Sequence, residues 1–324
     1  MQFEINPRNA RNWSRIGARG VYGLAMYEVA KANPSVLAVS ADLGKSSGLD
    51  RLAADFPAQF VNCGIAEQNM VSFSAGLSRS GFKVFSSSFA PFIAMRASEQ
   101  VRMNLGYMEE PVRLVAIGSG LAMGFLGNSH YGIEDLAVMR SIPNMTVVSP
   151  ADCAEIFKTV EAAVAHPDPI YIRLTGAVNN PVVYQEDYEF RIGRIIPLSR
   201  GKDVTILASG TMVAAAMSAA ELLRAAGIDV GVVNVHTIKP LDTAGLREVF
   251  RETRNIVTVE EHTLIGGLGS AIAEFKADEN LAMPLLRLGI RDKFVKTGDY
   301  AYLLSTNGLD PDSIAGSISA WLKG

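Results

Sequence analysis

The sequence has little that could cross-link a fold or bind a metal. Of its 324 residues only two are cysteine, Cys63 and Cys153, and four are histidine. The two cysteines make neither a metal-ligand spacing nor a disulfide framework, and a chain of this length can bury a core without such links. We therefore expect no metal site formed by this chain's own residues.

An excess of charge and a long apolar run are also absent. The net charge of -3 gives no basic surface for nucleic acid or an anionic membrane. The amino terminus has no apolar core of signal-peptide length, and no stretch approaches the ~18 apolar residues of a membrane helix. We expect a cytoplasmic protein that binds neither nucleic acid nor membrane. Its first 15 residues are polar, which predicts a frayed end or an arm ordered by contact.

What the sequence does contain is an alternation of short β-branched runs with longer segments of helical period. This pattern is typical of βαβ units and predicts two consecutive α/β domains with mainly parallel sheets flanked by helices, at 14–176 and 199–324. Residues 177–198 lose the periodicity and are predicted to be an extended linker. The predicted strands are 36–41, 84–88, 112–117, 146–149 and 170–174 in the first domain, and 203–208, 229–234, 256–260 and 285–288 in the second.

Three segments of the first domain carry candidates for chemistry near a cleft. Glu67 follows a short strand in Phe60-Val-Asn-Cys-Gly-Ile-Ala-Glu-Gln-Asn-Met70 and begins a helix, where a carboxylate is favoured whether or not it has another role. Phe89 and Phe92 lie three apart as a strand gives way to a helix, a spacing that also fits two core residues. His130 lies in the loop Gly127-Asn-Ser-His-Tyr-Gly, where a role in packing alone is less common.

Four polar residues are candidates for binding a charged ligand. Arg19 precedes a helix, and Asp42 and Ser46 follow the first strand in Ser40-Ala-Asp-Leu-Gly-Lys-Ser. Arg173 ends a strand, and ligands of parallel sheets bind beyond the carboxyl ends of strands. The alternatives are a surface ion pair for Arg19, a turn for Asp42 and, for Arg173, pairing with an acid at the domain boundary.

Together these segments resemble the pyrimidine-binding half of transketolases and of their relatives, the 1-deoxyxylulose-phosphate synthases and the β chains of 2-oxoacid dehydrogenases. The resemblance implies thiamine diphosphate as the cofactor. In the family, the residue matching Glu67 hydrogen-bonds the aminopyrimidine ring and so helps to activate the cofactor. Phe92 matches the ring that stacks on the pyrimidine, with Phe89 beside it, and Asp42 matches a residue near the cofactor.

The resemblance also implies a sugar substrate with an anionic end. His130 would contact substrate oxygens, and Arg19, Ser46 and Arg173 would bind the terminal phosphate. Two positions depart from the family pattern: no histidine stands near 118–120, and Leu126 replaces an acid that contacts a substrate hydroxyl. Both changes concern the sugar, so the donor remains open and a branched or sulfonated sugar is included.

The part of the family that this sequence does not match implies a partner chain. The match runs from about Arg15 to the end and covers only the family's second and third domains. The Gly-Asp-Gly motif that holds the diphosphate through Mg²⁺ (or Ca²⁺ or Mn²⁺) is missing, since the sole Gly-Asp, Gly298-Asp299, is followed by Tyr. We therefore expect a second, different chain that carries Gly-Asp-Gly, in an α2β2 assembly.

The resemblance thus predicts two-carbon ketol transfer from a ketose to an aldose by a split transketolase. The alternatives are one chain of a deoxyxylulose-phosphate synthase-like enzyme, the β chain of a 2-oxoacid dehydrogenase and a non-catalytic scaffold. In the second domain a Gly-rich loop enters a helix after Glu260-Glu-His262. A helix N-terminus of this kind can bind an anion, but we expect His262 and Gly267 to be structural.

Overall fold

The computed structural model describes residues 3–324, and within them it contains two β-sheets flanked by helices. The predicted α/β fold with two mainly parallel sheets is confirmed. The strands are β1 (Val36–Ser40), β2 (Phe60–Asn62), β3 (Lys83–Phe89), β4 (Arg113–Ser119), β5 (Thr146–Val148), β6 (Ile170–Thr175), β7 (Ile196–Ser199), β8 (Val204–Ala208), β9 (Val230–Asn234), β10 (Thr237–Lys239), β11 (Ile256–Thr263) and β12 (Leu285–Ile290).

The helices lie against both faces of the sheets. Residues 92–107 form an irregular helical segment. In it, a single α-helical turn, Ser98–Gln100, lies between two π-helical stretches, Phe92–Arg96 and Val101–Tyr107. The α-helices are α1 (Pro7–Ile16), α2 (Ala18–Ala32), α3 (Asp50–Asp55), α4 (Glu67–Arg79), α5 (Ser98–Gln100), α6 (Asp135–Ser141), α7 (Cys153–Val164), α8 (Met212–Ala225), α9 (Thr243–Glu252), α10 (Leu268–Asp278), α11 (Tyr300–Thr306) and α12 (Pro311–Lys323).

The first sheet has the strand order β10-β5-β6-β4-β3-β1-β2, and the second has the order β12-β11-β8-β9-β7. Pairing is parallel except at one edge of each sheet, where β10 pairs antiparallel with β5 and β7 with β9. The central strands are buried along their whole length, as expected for strands covered on both faces. None of the described helices is long and apolar enough to cross a bilayer.

Two features differ from the sequence predictions. The β10 strand belongs by position to the second domain but completes the first sheet, so the two domains share a sheet edge. The β7 strand begins at Ile196, inside the predicted linker, because it pairs with β9. Of the two alternatives for the first 15 residues, the helix that begins at Pro7 agrees with an arm ordered by contact and not with a frayed end. Met1 and Gln2 lie outside the described residues.

The amino-terminal helix α1 is stabilised by a cap and by aromatic packing. The Asn6 carboxamide accepts a hydrogen bond from the Asn9 backbone N–H at 2.9 Å, and Pro7 occupies the first helical position, where its missing N–H costs nothing. Trp13 is buried and its ring centre lies 4.5 Å from that of Phe157 on α7. The helix is thus docked onto the first domain.

Candidate active site

Five candidate residues of the first domain lie at or beyond the carboxyl ends of four neighbouring strands. In the order β4-β3-β1-β2, β1 leads to Asp42, β2 to Glu67, β3 to Phe89 and Phe92, and β4 to the loop that contains His130. Because parallel strands end at the same edge of a sheet, residues far apart in the sequence meet there. We refer to this edge of the sheet as the wall of the candidate cleft.

Glu67 occupies the first turn of α4 with only 3% of its surface exposed. Its Oε1 lies 2.8 Å from Nη1 of Arg96, and the two side chains form an ion pair. The centre of the Arg96 guanidinium lies 4.0 Å from the centre of the Phe92 ring. This edge of the sheet therefore holds a delocalised cation that lies over an aromatic ring and pairs with a buried carboxylate.

Arg96 was not among the candidates taken from the sequence. It lies at the end of the first π-helical stretch, and Gln68 fixes its backbone by donating from Nε2 to the Arg96 carbonyl at 3.2 Å. Its side chain is about half exposed. The sequence shows only an arginine four residues after Phe92, and one helical turn is the spacing at which two side chains can meet.

Phe89, Phe92 and His130 form an aromatic cluster with edge-on contacts. The two phenylalanine ring centres are 5.6 Å apart, and the imidazole centre lies 5.5 Å from that of Phe89 and 5.2 Å from that of Phe92. The Oγ of Ser129 is 2.9 Å from Nδ1 of His130. Ser129 thus engages one imidazole nitrogen, and Nε2 is the nitrogen that can face a bound molecule.

Asp42 connects the ends of two strands. Its backbone has a φ of 57°, in the left-handed region that Asp tolerates in turns. The Asn62 carboxamide donates to Asp42 Oδ1 at 3.1 Å and accepts from the backbone N–H groups of Asp42 and Gly64, both at 3.0 Å. These bonds hold the turn that leads from β2 to Glu67. Asn62 was not a candidate from the sequence.

Arg19 and Ser46 line a common pocket of about 400 Å³. The pocket lies at the start of α2, whose N-cap residue Gly17 offers no side chain to the free backbone N–H groups. Lys45, which the sequence reasoning missed, also lines it. Two cationic side chains, a hydroxyl and a helix N-terminus favour an anion here.

Arg173 does not reach this pocket, and the prediction that it binds the substrate anion is wrong. The residue is 1% exposed. Its Nε donates to both carboxylate oxygens of Asp135, at 3.0 and 2.9 Å, and its Nη2 donates to the carbonyls of Gly132 and Glu261, both at 2.8 Å. Because Glu261 lies on β11, Arg173 joins the two domains. The structure therefore agrees with the alternative given for Arg173, an ion pair with an acid at the domain boundary.

The Gly-rich loop of the second domain is not open to an anion. The Glu260 carboxylate accepts the backbone N–H groups of Leu268 at 2.6 Å and Gly269 at 2.8 Å, so the protein's own carboxylate fills the N-terminus of α10. Burial raises the pKa of Glu260 to about 7. His262 is fully buried against α6, and burial lowers its pKa to about 4.

No group of three or more His, Cys, Asp or Glu residues within 3–324 is placed to hold a metal ion.

Comparison with known proteins assigns the family. Residues 14–177 match the model of the transketolase pyrimidine-binding domain, and residues 193–314 match that of the transketolase C-terminal domain. The two matches cover most of the chain. The chain belongs to the transketolase family.

Several relatives in this family are of about the same length. The chain is 36% identical to an apulose-4-phosphate transketolase subunit of Phocaeicola vulgatus, covering 95% of this chain and 98% of the relative. It is 38% identical to a putative transketolase C-terminal section of Methanocaldococcus jannaschii, with 95% and 96% covered. A 6-deoxy-6-sulfo-D-fructose transketolase subunit of a Clostridium species is also 38% identical, with 91% of each chain covered.

Solved structures give the same picture. A split-gene transketolase described as an inactive β4 tetramer is 41% identical and has a TM-score of 0.85, with 94% of this chain and 98% of that chain covered. The transketolase of Campylobacter jejuni is 21% identical with a TM-score of 0.78, which shows a shared fold, and the chain covers 46% of it.

Proposed function

We propose that this chain is the pyrimidine-binding subunit of a thiamine-diphosphate-dependent transketolase. The subunit would help to transfer a two-carbon ketol unit from an anionic ketose to an aldose. One observation carries the proposal: the buried Glu67 carboxylate, the Phe92 ring and the His130 imidazole are linked by contacts at one edge of the sheet, with Arg96 between the first two. A carboxylate in this place can exchange a proton with a ring nitrogen, while the imidazole can donate to a carbonyl oxygen.

The fit of thiamine diphosphate to this cleft is supported by the position of Arg96. Its guanidinium occupies the place that an aminopyrimidine ring would need, paired with Glu67 and over the face of Phe92. When bound, the cofactor supplies a nucleophilic thiazolium carbon that adds to the ketose carbonyl. Glu67 would hold the proton at the pyrimidine nitrogen, and Phe92 would orient the ring. Phe89 and Asp42 would support this wall of the cleft from the ends of β3 and β1.

Arg96 and the pyrimidine would compete for the same contacts. We expect Arg96→Met to tighten thiamine diphosphate binding in the assembled complex by roughly threefold to tenfold, since the ion pair to be displaced is half exposed on its Arg96 side and, like the cation–π contact, is worth about 1 kcal/mol. Isothermal titration calorimetry measures this. Arg102→Met, which removes an exposed arginine from the same segment, is the control. Weaker binding in Arg96→Met would show that Arg96 contacts the cofactor instead of yielding to it.

The anionic end of the donor would bind in the pocket formed by Arg19, Ser46 and Lys45. Two relatives support an anionic sugar, because their names specify apulose 4-phosphate and 6-deoxy-6-sulfo-D-fructose. A phosphate and a sulfonate both offer oxygens to arginine, lysine and backbone N–H groups. We propose one of these two groups at the terminus of the donor.

Replacement of Arg19 tests this pocket. We expect Arg19→Ala to raise KM for the anionic donor by about tenfold to a hundredfold, the effect of losing a hydrogen bond to a charged group, with cofactor affinity unchanged. Steady-state kinetics with the phosphorylated or sulfonated ketose measures it. Arg15→Ala removes a nearby exposed arginine outside the pocket and serves as the control. An unchanged KM in Arg19→Ala would place the anion elsewhere.

A partner chain would complete the site. The relatives' names, one a transketolase subunit and the other a C-terminal section, support a division of the enzyme into two chains. Apolar side chains near the cleft also support it, since Ile65 is 81% and Phe125 82% exposed. We propose that the partner holds the diphosphate and its Mg²⁺, and that two copies of each chain form an α2β2 assembly.

Reconstitution tests the whole proposal. The chain is mixed with the protein from the neighbouring gene that carries Gly-Asp-Gly, with thiamine diphosphate and magnesium, and supplied with phosphorylated and sulfonated ketoses and an aldose acceptor. Ketol transfer by the mixture supports the proposal. Transfer by this chain alone, or release of carbon dioxide from pyruvate without ketol transfer, would overturn it; the second result would identify a synthase or dehydrogenase instead.

A further inference from the structure

The loop that contains His130 has short turns of its own but no continuous helix or strand. It runs from the end of β4 to the start of α6, and its one helical stretch, Gly124–Ser129, is a 3-10 helix interrupted at Gly127, where φ is 72° and ψ is -164°. The base of the loop is closed by backbone pairing between Gly120 and Gly132. A segment of this kind needs contacts from elsewhere to hold one conformation.

Those contacts come from the C-terminal domain. The Asn128 carboxamide makes two hydrogen bonds to one residue, donating from Nδ2 to the Val295 carbonyl at 2.8 Å and accepting from the Val295 N–H at 3.1 Å. The Tyr131 hydroxyl shares its one proton between the Gly124 carbonyl in the loop itself and the Lys296 carbonyl, which is 3.2 Å away. At the base, Glu261 accepts the Leu121 N–H at 2.5 Å. The C-terminal domain thus holds the loop on both sides of His130.

Close packing confirms the fit between the two segments. A Cβ added to Gly124 would lie 2.6 Å from the carbonyl oxygen of Gly298, and one added to Gly127 would lie 2.8 Å from the Thr297 methyl group. The backbones approach as closely as glycine allows. The segment from 291 to 299 lies between β12 and α11 and has no helix or strand of its own, so two irregular segments hold each other.

We infer that Asn128 is a positioning residue, through which the C-terminal domain holds His130 at the wall of the cleft. Asn128 stands two residues before His130, and its paired bonds to Val295 fix the backbone of the loop. The imidazole is otherwise oriented by the edges of Phe89 and Phe92 and by Ser129. The inference rests on the proposed role of His130 at substrate oxygens and gives the C-terminal domain a part in the reaction.

A double-mutant cycle in the reconstituted complex tests whether Asn128 acts through His130. We expect His130→Ala to lower kcat/KM by about a hundredfold and Asn128→Ala by about tenfold, the cost of a loosely held group. The double variant should lose no more than His130→Ala alone, because a displaced loop matters little once the imidazole is gone. Cofactor affinity should be unchanged in all three. A double variant about a thousandfold below the wild type, the product of the two losses, would overturn the inference.

Hydrogen exchange measured by mass spectrometry supplies a readout that needs no activity. Amides from 121 to 131 should exchange about tenfold faster in Asn128→Ala. Asn255→Ala is the matched control, since Asn255 donates one 2.8 Å bond to the Asp203 carbonyl at the far end of β11. Unchanged exchange in Asn128→Ala would overturn the inference. A wild-type complex without ketol transfer would overturn the proposed function, whereas an active wild type with an unimpaired Asn128→Ala would overturn this inference alone.

Discussion

Replacement of Glu67 by alanine is expected to lower kcat for ketol transfer by about a thousandfold, the middle of the range for losing a positioned acid–base group. Glu67 is buried and pairs with the Arg96 guanidinium, which offers N–H donors and no acceptor. Among the described residues no other carboxylate forms an ion pair with Arg96. The remaining activity would come from binding and orientation alone.

Glu67→Gln separates the proton from the shape of the side chain. The amide retains the size of the carboxylate and one acceptor oxygen for Arg96, so the helix start and the cleft should be preserved. It cannot exchange a proton with a ring nitrogen, and its loss of kcat should approach that of alanine. Steady-state kinetics of the complex, with calorimetric titration of thiamine diphosphate, measures both effects.

Glu99→Gln is the matched control for Glu67. Glu99 lies on the neighbouring helical segment, is exposed and pairs with Arg102 at 3.7 Å, so its replacement should leave kcat within about twofold of the wild type. A Glu67→Ala complex with full activity would refute the proposed function, because no other residue of the cleft is assigned the proton at the pyrimidine. Full activity of Glu67→Gln would show that hydrogen bonding suffices.

The parts of the fold that could be predicted from the sequence are those set by local pattern. The runs that became β1, β3, β4 and β6 are short, β-branched and bounded by polar turns, and the structure has a strand at each. That Glu67, Phe92 and His130 share one site was implied by the resemblance to the family, and the common edge of the parallel strands explains how they meet. The β10 strand could not be foreseen, because only its partner β5, about 90 residues earlier, makes it a strand.

The side-chain contacts show why a motif alone does not fix a role. Arg96 and Arg173 are both arginines next to predicted site segments, yet one lies in the cleft and the other between the domains. Arg173 sits near the carboxyl end of its strand, as expected, but Asp135 and the carbonyl of Glu261 surround it. Those partners come from two separate elements, and no spacing in the sequence indicates that they converge.

Arg173→Ala is the second change with a large expected effect, and it should act on stability. Removal of the guanidinium leaves the Asp135 carboxylate buried, with the Tyr171 hydroxyl as its remaining side-chain donor at 2.8 Å. The Glu261 carbonyl at the domain boundary loses a donor as well, and the Gly132 carbonyl keeps only the Gly120 N–H. Breaking a buried ion pair in this way costs about 3–5 kcal/mol. We expect the free energy of unfolding to fall by this amount, as measured by urea denaturation followed by circular dichroism.

Two further variants serve as controls for the loss of stability in Arg173→Ala. Arg254→Ala removes an ion pair with Asp203 at the surface and should cost less than about 1 kcal/mol. Arg173→Met combined with Asp135→Leu leaves no buried charge at either position, so much of the lost stability should return. Recovery in the double variant would show that the unpaired carboxylate, and not the space left by the arginine, causes most of the loss.

Arg173→Ala also distinguishes a domain-bridging role of Arg173 from an anion-binding role. An anion-binding arginine would change KM for the sugar and leave the free energy of unfolding nearly unaffected, as expected for Arg19. A domain-bridging arginine would do the reverse, since its four hydrogen bonds all end on Asp135, Gly132 and Glu261. An Arg173→Ala protein with wild-type stability and a raised KM for the anionic donor would restore the role suggested by the motif. The burial of both partners favours the loss of stability, because their charges are compensated by each other and not by water.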